Sequence, residues 1–448
     1  MKKINQSLFA LSTLTLAMQA GAAGFALNES SAAAAGTAYA GRGSNAEDAS
    51  IMAANPAGIA LLKERQVTVG GAVAVPKGDF KGTSTNSITL PPPTGAVTTN
   101  GSSSNDEFLN TSLIPFGYFS MPVDDRLSFG FGIYAPFGSS TDYNDDWAGK
   151  YLADETQVTI VNFQPTVAYK FSDQLSLGLG VFATYGEGEL SRFINPASPN
   201  DNVVIKGDDV AYGWNIGAIW QPQESTSLGI SYRSSIKLKL KGHATGSGNL
   251  FLATSGSASV KEKAKLDITL PENIDISLTH QIDDRWTVMA GATWTRWSQF
   301  DKLVISSDEG AGTGPVSDPF PGSPAPGIIT YVQENWTNTW AFALGASYKY
   351  SDQLTLKAGY ALDQTPVKDD YRTARIPDGD RNWFTVGAKY ELGNDWTVDA
   401  AYGYMFAGKV KIDERNYNDD GTPGSNFNLK GEYNNTAHLF SASVTKRF

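Results

Sequence analysis

The sequence predicts an all-β fold, a 14-stranded antiparallel β-barrel that crosses a membrane. Apolar residues alternate with small or polar ones from about residue 67 onward, which is the period of a strand with two unlike faces. Aromatic residues stand at both ends of the apolar faces, and short polar connections alternate with long ones. A β-sandwich would bury the apolar face against a second sheet, whereas an outer-membrane barrel exposes it to lipid.

The composition excludes several other classes of protein. The chain has 448 residues, no cysteine and a formal net charge of −11 at pH 7. Without cysteine there is no disulfide framework, zinc ribbon or thiol nucleophile. Because the chain is acidic, we expect no nucleic-acid partner, which would require a basic stripe. After the first residues, no apolar run reaches the roughly 20 residues of a membrane helix.

Residues 1–22 have the pattern of a secretory signal peptide. Lys2 and Lys3 precede an apolar stretch, and residues 20–22 (Ala-Gly-Ala) fit a small-residue cleavage site. We therefore expect the mature chain to begin near residue 23 and to leave the cytoplasm.

Two strands show the expected aromatic ends most clearly. Trp286 and Trp294 bound one apolar face, and Trp396 and Tyr404 bound another, in each case eight residues apart. Eight steps of about 3.3 Å along a strand tilted by about 40° span roughly 20 Å, close to the roughly 25 Å apolar band of such barrels.

The connections predict the number of strands. Short polar turns occupy residues 122–126, 171–174, 221–225, 281–285, 350–353 and 392–395, and longer polar stretches lie near residues 76–108, 138–155, 191–209, 241–261, 301–333, 363–380 and 413–432. These six turns and seven loops predict fourteen strands within residues 65–448. An even number places both termini in the periplasm, and Phe448 gives the last strand an aromatic end.

Residues 23–64 do not alternate. They are rich in alanine and glycine and include a helix-compatible stretch at residues 30–40. Their composition fits a periplasmic tail and equally fits a partly helical plug, or hatch, packed inside the lumen.

Several motifs resemble those of the FadL-type outer-membrane transporters of long-chain fatty acids and other hydrophobic molecules. They are the mature start Ala23-Gly24-Phe25-Ala26-Leu27-Asn28-Glu29, the hatch motif Asn55-Pro56-Ala57, Gly213-Trp214-Asn215, Tyr232-Arg233-Ser234, Leu270-Pro271-Glu272, Trp297-Ser298-Gln299-Phe300 and Ile376-Pro377-Asp378-Gly379-Asp380-Arg381. They fall in the family's order over nearly the whole mature chain. The resemblance implies that residues 23–64 form the hatch and that the protein lies in the outer membrane of a Gram-negative bacterium.

The resemblance also implies a mechanism. Substrate is caught in an apolar groove between extracellular loops, passes to a pocket inside the barrel and leaves sideways where the third strand is kinked. Lateral exit is physically reasonable because an acyl chain gains about 0.8 kcal/mol per CH₂ by staying out of water.

The kink of the third strand corresponds to Pro136, Phe137 and Gly138. Proline donates no ladder hydrogen bond and glycine permits a bend, so this stretch either kinks the strand or simply ends it. A second expected site is the extracellular loop that contains Leu250, Phe251 and Leu252. Three consecutive apolar residues in a polar loop suit substrate capture, although they also suit packing of the loop on itself.

The inner pocket is expected to contain Phe25 and a cation for the substrate carboxylate. The resemblance assigns Arg192 as the first cation. The position of the family's second cation is occupied here by Val304, and the nearest cation is Lys302. Strand parity from Trp286 would point residue 302 outward, and the missing cation weakens the expectation of fatty-acid specificity. Arg233, Lys237 and Lys239 lie on one face of the seventh strand and are alternative partners for the carboxylate, although a ladder in the lumen with acidic neighbours is their expected role.

We expect no enzyme, metal or cofactor. The chain has three histidines, His243, His280 and His438, and no Gly-x-Ser-x-Gly motif. Acidic loops at residues 143–146 and 416–420 are typical of solvated surface.

The expected function is therefore passive uptake of hydrophobic molecules, most specifically long-chain fatty acids, by a monomer surrounded by outer-membrane lipid and lipopolysaccharide. The alternatives are a transporter of neutral or aromatic hydrocarbons, a general porin and a phage-receptor barrel. Receptor use by phages is compatible with transport.

Overall fold

The computed structural model describes residues 23–90, 95–104, 107–198, 200–310, 314–317, 327–418 and 420–448. The predicted signal peptide, residues 1–22, lies outside this part of the chain. No helix among the described residues is long and apolar enough to cross a membrane.

The described chain consists mainly of strands. They are β1 (Gln66–Leu90), β2 (Gly95–Ser104), β3 (Ser112–Pro122), β4 (Leu127–Asp142), β5 (Glu155–Lys170), β6 (Leu175–Phe193), β7 (Asn202–Gln223), β8 (Thr226–Arg233), β9 (Ile236–Ser247), β10 (Ser259–Leu270), β11 (Asn273–Gln281), β12 (Trp286–Thr295), β13 (Lys302–Ser307), β14 (Ile328–Gln333), β15 (Thr339–Lys349), β16 (Leu354–Asp363), β17 (Arg381–Gly393), β18 (Trp396–Ala407), β19 (Val410–Tyr417) and β20 (Pro423–Arg447). The α-helices are α1 (Ala32–Ala35), α2 (Ile51–Ala54) and α3 (Asn249–Ser255), and 3₁₀ turns cover Pro56–Leu61, Trp297–Gln299 and Asp369–Tyr371.

Fourteen of the strands pair in one antiparallel ring. The order is β1, β3, β4, β5, β6, β7, β8, β11, β12, β15, β16, β17, β18, β20 and back to β1. The closing pair joins Gln66 to Arg447 at one end and Asn86 to Phe427 at the other. The predicted 14-stranded barrel is thus confirmed. The other strands, β2, β9, β10, β13, β14 and β19, extend the wall on the side of the long loops.

The outer and inner faces of the wall differ as the alternation predicts. On β7, the outward-facing Trp214, Ile216 and Trp220 are exposed, while Asn215 between them is buried. Lipid on the outside requires this arrangement, in which the exterior is apolar and bounded by belts of aromatic residues and the interior is polar.

Strand parity changes between β8 and β9, which corrects one expectation. Arg233 at the end of β8 is buried, as a lumen-facing side chain should be. The irregular Ser234 and Ser235 then separate the strands, so that the buried residues of β9 are even-numbered. Lys237 and Lys239 therefore point outward and are exposed, and the prediction that they form a lumen ladder with Arg233 is wrong.

Residues 23–62 fill the lumen. Their backbone oxygens accept hydrogen bonds from inward-facing side chains around the ring, including Gln164 of β5, Ser231 of β8 and Thr385 of β17. Donors from such separated strands can converge on one segment only if that segment lies inside the barrel. This part of the chain therefore forms the plug of the predicted fold.

Buried and half-buried ion pairs fix the plug to the wall. Lys357 of β16 lies 2.9 Å from Glu47 of the plug and 3.1 Å from Asp399 of β18, and Lys389 lies 3.2 Å from Glu47. On the other side of the plug, Arg42 lies 2.7 Å from Asp275 of β11. Removing one partner of a buried pair leaves an uncompensated charge, which costs roughly 3–5 kcal/mol.

We therefore predict that Lys357→Met loosens the plug without unfolding the barrel, because Glu47 of the plug and Asp399 of the wall both lose their closest cation. The expected result is faster proteolysis within residues 23–62 and a higher ion conductance in planar bilayers. Lys349→Met, which removes an exposed pair with Asp352, is the matched control and should behave as the wild type. Equal conductance and proteolysis in both variants would contradict the role of the buried pair.

Candidate functional site

The third barrel strand, β4, contains a bulge. Tyr134 pairs with Asn162, but the next paired residue, Phe137, lies opposite Ile160, so β4 carries one residue more than β5 at Ala135 and Pro136. On its other edge β4 pairs with β3 only between Ser128 and Ile133. The sequence pattern therefore produces a bulge at Pro136 within the strand, and β4 continues to Asp142.

The N-terminal segment occupies the edge of β4 at this bulge. The amide of Leu27 donates to the carbonyl of Pro136, and the amide of Gly138 donates to the carbonyl of Phe25, each at 2.9 Å. Ala26 and Phe137 form the corresponding antiparallel bridge. Backbone groups that the bulge leaves without a neighbouring strand are thus satisfied by the plug.

The ring of Phe25 lies at the centre of an aromatic cluster. Its centroid is 5.7 Å from Phe137, 5.0 Å from Trp297, 5.2 Å from Phe300 and 5.8 Å from Trp336. All five side chains are buried. Their tilted and edge-on contacts are the geometries that aromatic pairs favour.

An apolar cavity of about 70 Å³ lies beside Phe25. Its walls are formed mainly by aliphatic and aromatic side chains: Val158, Ile160, Leu190, Ile205, Leu238, Leu240, Leu266, Ile268, Phe300, Leu303, Ile305 and Ile376. Ligand pockets of proteins usually measure about 300–1,000 Å³. The volume of the cavity is therefore too small for a long ligand, which would have to displace Phe25 or its neighbours.

Arg375, a side chain that is only 2% exposed, also lines the cavity. Its Nη atoms donate to the carbonyls of Leu152, Glu155 and Ser191 and to Oγ1 of Thr156. Its Nε has no hydrogen-bond partner among the described residues. Burial lowers the pKa of Arg375 to about 10, so the group remains cationic at neutral pH.

A larger cavity of about 1,000 Å³, the outer vestibule, lies between the loops above this layer and has several charged lining residues. It is lined by Tyr151, Arg192, Tyr331, Arg372, Glu414, Tyr417 and neighbouring residues. Glu414 accepts a hydrogen bond of 2.7 Å from the amide of Ala374, next to Arg375. Burial raises the pKa of Glu414 to about 7 and that of Glu334 to about 8.

The predicted inner-site residues fall in three different places. Phe25 lies at the apolar cavity. Arg192 faces the outer vestibule and donates a hydrogen bond of 3.4 Å to the carbonyl of Ile329. Lys302 is exposed on β13, with its Nζ 6.0 Å from the centre of the Tyr331 ring. The structure thus brings neither Arg192 nor Lys302 into contact with the apolar cavity.

The other predicted sites are compact local structures. Leu250 and Phe251 are buried in helix α3, whereas Leu252 is 50% exposed. In the hatch motif, the Asn55 side chain accepts from the amide of Ala57 at 3.0 Å and donates to the carbonyl of Gly43 at 2.8 Å, while Pro56 opens the following turn. Asn55 therefore holds two turns of the plug together.

Sequence reasoning missed Arg375, Glu414 and Trp336. Arg375 directly precedes the Ile376–Arg381 motif, and this proximity was the available signal. The burial of a charged residue in a long polar loop depends on how the loops pack against one another, which no local pattern of residues records.

A closed barrel with an apolar exterior, a plugged lumen and an apolar cavity under its outer end defines an outer-membrane channel for hydrophobic compounds. A family profile described as outer membrane protein transport protein (OMPP1/FadL/TodX) matches residues 13–448. The chain belongs to this family, and the predicted resemblance and the outer-membrane location are confirmed.

Named relatives agree with this assignment. Outer membrane protein P1 of Haemophilus influenzae is 30% identical over 450 residues and covers 92% of each chain. The long-chain fatty acid transport protein of Salmonella typhi is 28% identical and covers 94% of this chain and 98% of its own. A solved FadL homologue of Pseudomonas aeruginosa is 27% identical, with a TM-score of 0.81 over 95% of this chain and 100% of that one.

More distant solved structures share the fold. The toluene transporter TbuX of Ralstonia pickettii is 18% identical, with a TM-score of 0.61 over 92% of this chain and 98% of that one. The family is made of transporters of hydrophobic compounds, and the expectation that this chain catalyses no reaction stays a prediction.

We predict that the packing around Glu414 weakens as the pH rises from about 4.5 to 7. The pKa is raised in the packed state, so the loosened state ionises first, and the stability present below about 4.5 is lost through pH 7. Hydrogen exchange of the amides of residues 372–376 and 410–417, corrected for intrinsic rates at pH 5 and 8, measures this change.

Glu414→Gln retains the acceptor for Ala374 but cannot ionise, so its pH response should be reduced. Glu432→Gln, at an exposed carboxylate paired with Lys409, should retain the wild-type response. An unaltered response in Glu414→Gln would show that burial of this carboxyl does not control the packing.

Proposed function

We propose that the protein is a passive uptake channel for long-chain fatty acids. It captures them between its outer loops, holds them in the apolar cavity and releases them sideways into the membrane. The observation that carries this proposal is the buried Arg375 among the mainly aliphatic and aromatic residues that line the apolar cavity. An apolar chain that ends in one carboxylate is the chemical complement of such a cavity, and the names of the fatty-acid-transporting relatives agree with it.

Two cations would act in sequence. Arg192 faces the outer vestibule. Arg375 faces the apolar cavity and donates to the carbonyl of Ser191, the residue that precedes Arg192. A carboxylate would first meet Arg192 and then Nε of Arg375, while its chain enters the apolar cavity. In this proposal Arg375 is the second cation that binds the carboxylate, which the resemblance would place at the position of Val304.

Helix α3 provides the proposed capture surface. Leu252 remains exposed on α3 while Leu250 and Phe251 anchor the helix. We propose that Leu252 offers an apolar contact to an arriving acyl chain.

The closed β1–β20 seam supports a channel that works as a monomer, since the wall needs no second copy to close.

The bulge of β4 supports lateral release. Beyond Ile133, β4 is hydrogen-bonded on this edge to the plug residues Phe25 and Leu27 and not to β3. Withdrawal of this short segment would open the wall between β3 and β4 toward lipid. The same movement would take the ring of Phe25 out of the aromatic cluster beside the apolar cavity.

Neutral hydrophobic compounds are the second candidate substrates. Both Nη atoms of Arg375 already donate to wall acceptors, which leaves only Nε for a ligand. An apolar molecule without a carboxylate would fit the same walls.

We predict that Arg375→Gln weakens oleate binding while leaving toluene uptake within twofold of the wild type. A hydrogen bond to a charged group contributes about 1.5–3 kcal/mol, so affinity should fall about ten- to hundredfold. The measurements are oleate binding to the purified protein and uptake of labelled oleate and toluene by cells that lack their own transporter.

Arg375→Lys keeps the charge and should restore part of the affinity. Arg192→Ala should slow oleate uptake with a smaller effect on affinity, and Lys409→Gln on the outer surface should change neither. If Arg375→Gln binds oleate as well as the wild type, the neutral-substrate proposal replaces the fatty-acid one.

We further predict that deleting Pro136 abolishes oleate uptake and leaves a folded barrel. The deletion removes the one extra residue of β4, so that pairing with β5 becomes continuous and β4 can pair with β3 beyond Ile133. Uptake in cells and the heat-dependent gel mobility of the folded barrel are the two readouts.

Pro136→Ala is the matched control because it keeps the extra residue and therefore the bulge. It should retain at least half of the wild-type uptake. Full uptake by the deletion variant would show that substrate does not leave through this opening.

A further inference from the structure

The hairpin formed by β9 and β10 carries a row of exposed lysines on its outward face. Six of them, here called the lysine face, are Lys237, Lys239 and Lys241 of β9 and Lys261, Lys263 and Lys265 of β10. In the strand register, Lys241 lies opposite Lys265, and His243 lies opposite Lys263. Such a concentration of positive charge stands out in a chain with a net charge of −11.

Carboxylates compensate only part of this charge. Lys265 lies 3.2 Å from Asp308, and Lys263 lies 3.5 Å from Glu309. Asp267 and Asp208 lie opposite Lys239 and Lys241 in the register. Within the described ranges, no carboxylate oxygen comes within 4.0 Å of the Nζ of Lys237, Lys239, Lys241 or Lys261.

The direct opposition of Lys241 and Lys265 has an energetic consequence. Like charges directly opposite each other on neighbouring strands destabilise the pair. If this face contacted only water, neutral side chains would be equally suitable at the positions of Lys241 and Lys265. An anionic partner would offset this repulsion.

The lysine face begins where the apolar band ends. The rings of Trp214 and Tyr232 lie 5.3 Å apart on the outward face of β7 and β8. The amide of Ser234 donates to the carbonyl of Trp214 at 2.9 Å, and β9 starts two residues later. Lys237 and the lysines beyond it therefore lie just above the belt of aromatic residues around the barrel. This is the level of lipid headgroups on the side of the long loops.

We propose that the lysine face binds the phosphate groups of lipopolysaccharide, the phosphorylated glycolipid of the outer leaflet. A lysine ammonium is a point charge suited to phosphate, and its flexible stem lets it reach along the wall toward a headgroup. The acyl chains of the same lipid would cover the apolar side chains of β7 and β8 below. The proposal depends on the barrel and its membrane setting and not on the substrate that is transported.

The test is binding of lipid A to the purified full-length protein in detergent, measured by native mass spectrometry. The triple variant K237Q/K239Q/K241Q, whose three lysines do not line the apolar cavity, is compared with K409Q/K411Q/K430Q, which removes three exposed lysines at the β19–β20 extension. We expect the first triple variant to lose at least tenfold in affinity for bisphosphorylated lipid A, and the second to stay within twofold of the wild type.

A second arm varies the lipid. Lipid A without phosphate should bind the wild type as weakly as bisphosphorylated lipid A binds the first triple variant. Equal binding of the two lipids by the wild type, or equal loss in both triple variants, would overturn the proposal. Gel mobility confirms folding, and unchanged oleate uptake by the first triple variant separates this site from the transport route.

Discussion

The structure depends on one constraint, which is that every backbone amide and carbonyl at the level of the lipid must find a partner inside the protein. The ring of fourteen strands supplies these partners along most of the wall, but β3 supplies none to β4 beyond Ile133, at the bulge. There, Phe25 and Leu27 of the plug supply the missing partners. The plug is therefore part of the wall at this point, and the wall cannot open without it moving.

Phe25 couples the wall to the cavity because one residue serves both. Its carbonyl accepts from Gly138 of β4, while its ring packs with Trp297, Phe300 and Trp336 beside the apolar cavity. A ligand that displaced the ring would strain the hydrogen bond that holds the edge of β4. In the proposed mechanism, filling the cavity and opening the wall would be two consequences of the same movement, while the ion pairs around Lys357 hold the rest of the plug.

The sequence predicted the barrel and its strand number well, because period-two alternation and aromatic ends are imposed residue by residue by lipid. It failed where a fact depended on irregular backbone or on loop packing. Two serines between β8 and β9 turned Lys237 and Lys239 outward, and the regular alternation on either side does not reveal that change. The burial of Arg375 depends on contacts with Leu152, Glu155 and Ser191, which are far away in the sequence.

In the proposed inner site, Arg375 would bind the carboxylate of a fatty acid and the aliphatic walls would bind its acyl chain. Each CH₂ held out of water contributes about 0.8 kcal/mol, so a long chain gains far more than the roughly 1.5–3 kcal/mol of one charged hydrogen bond. Arg375 would therefore set selectivity, and the aliphatic walls would set affinity. Because the chain would keep its apolar surroundings in passing between β3 and β4 into lipid, release would require that the plug segment move from the edge of β4 and that the carboxylate leave Arg375. In this proposal, a single free donor at Nε, with the remaining N–H groups hydrogen-bonded to the wall, would make departure of the carboxylate easier than a fully engaged guanidinium would.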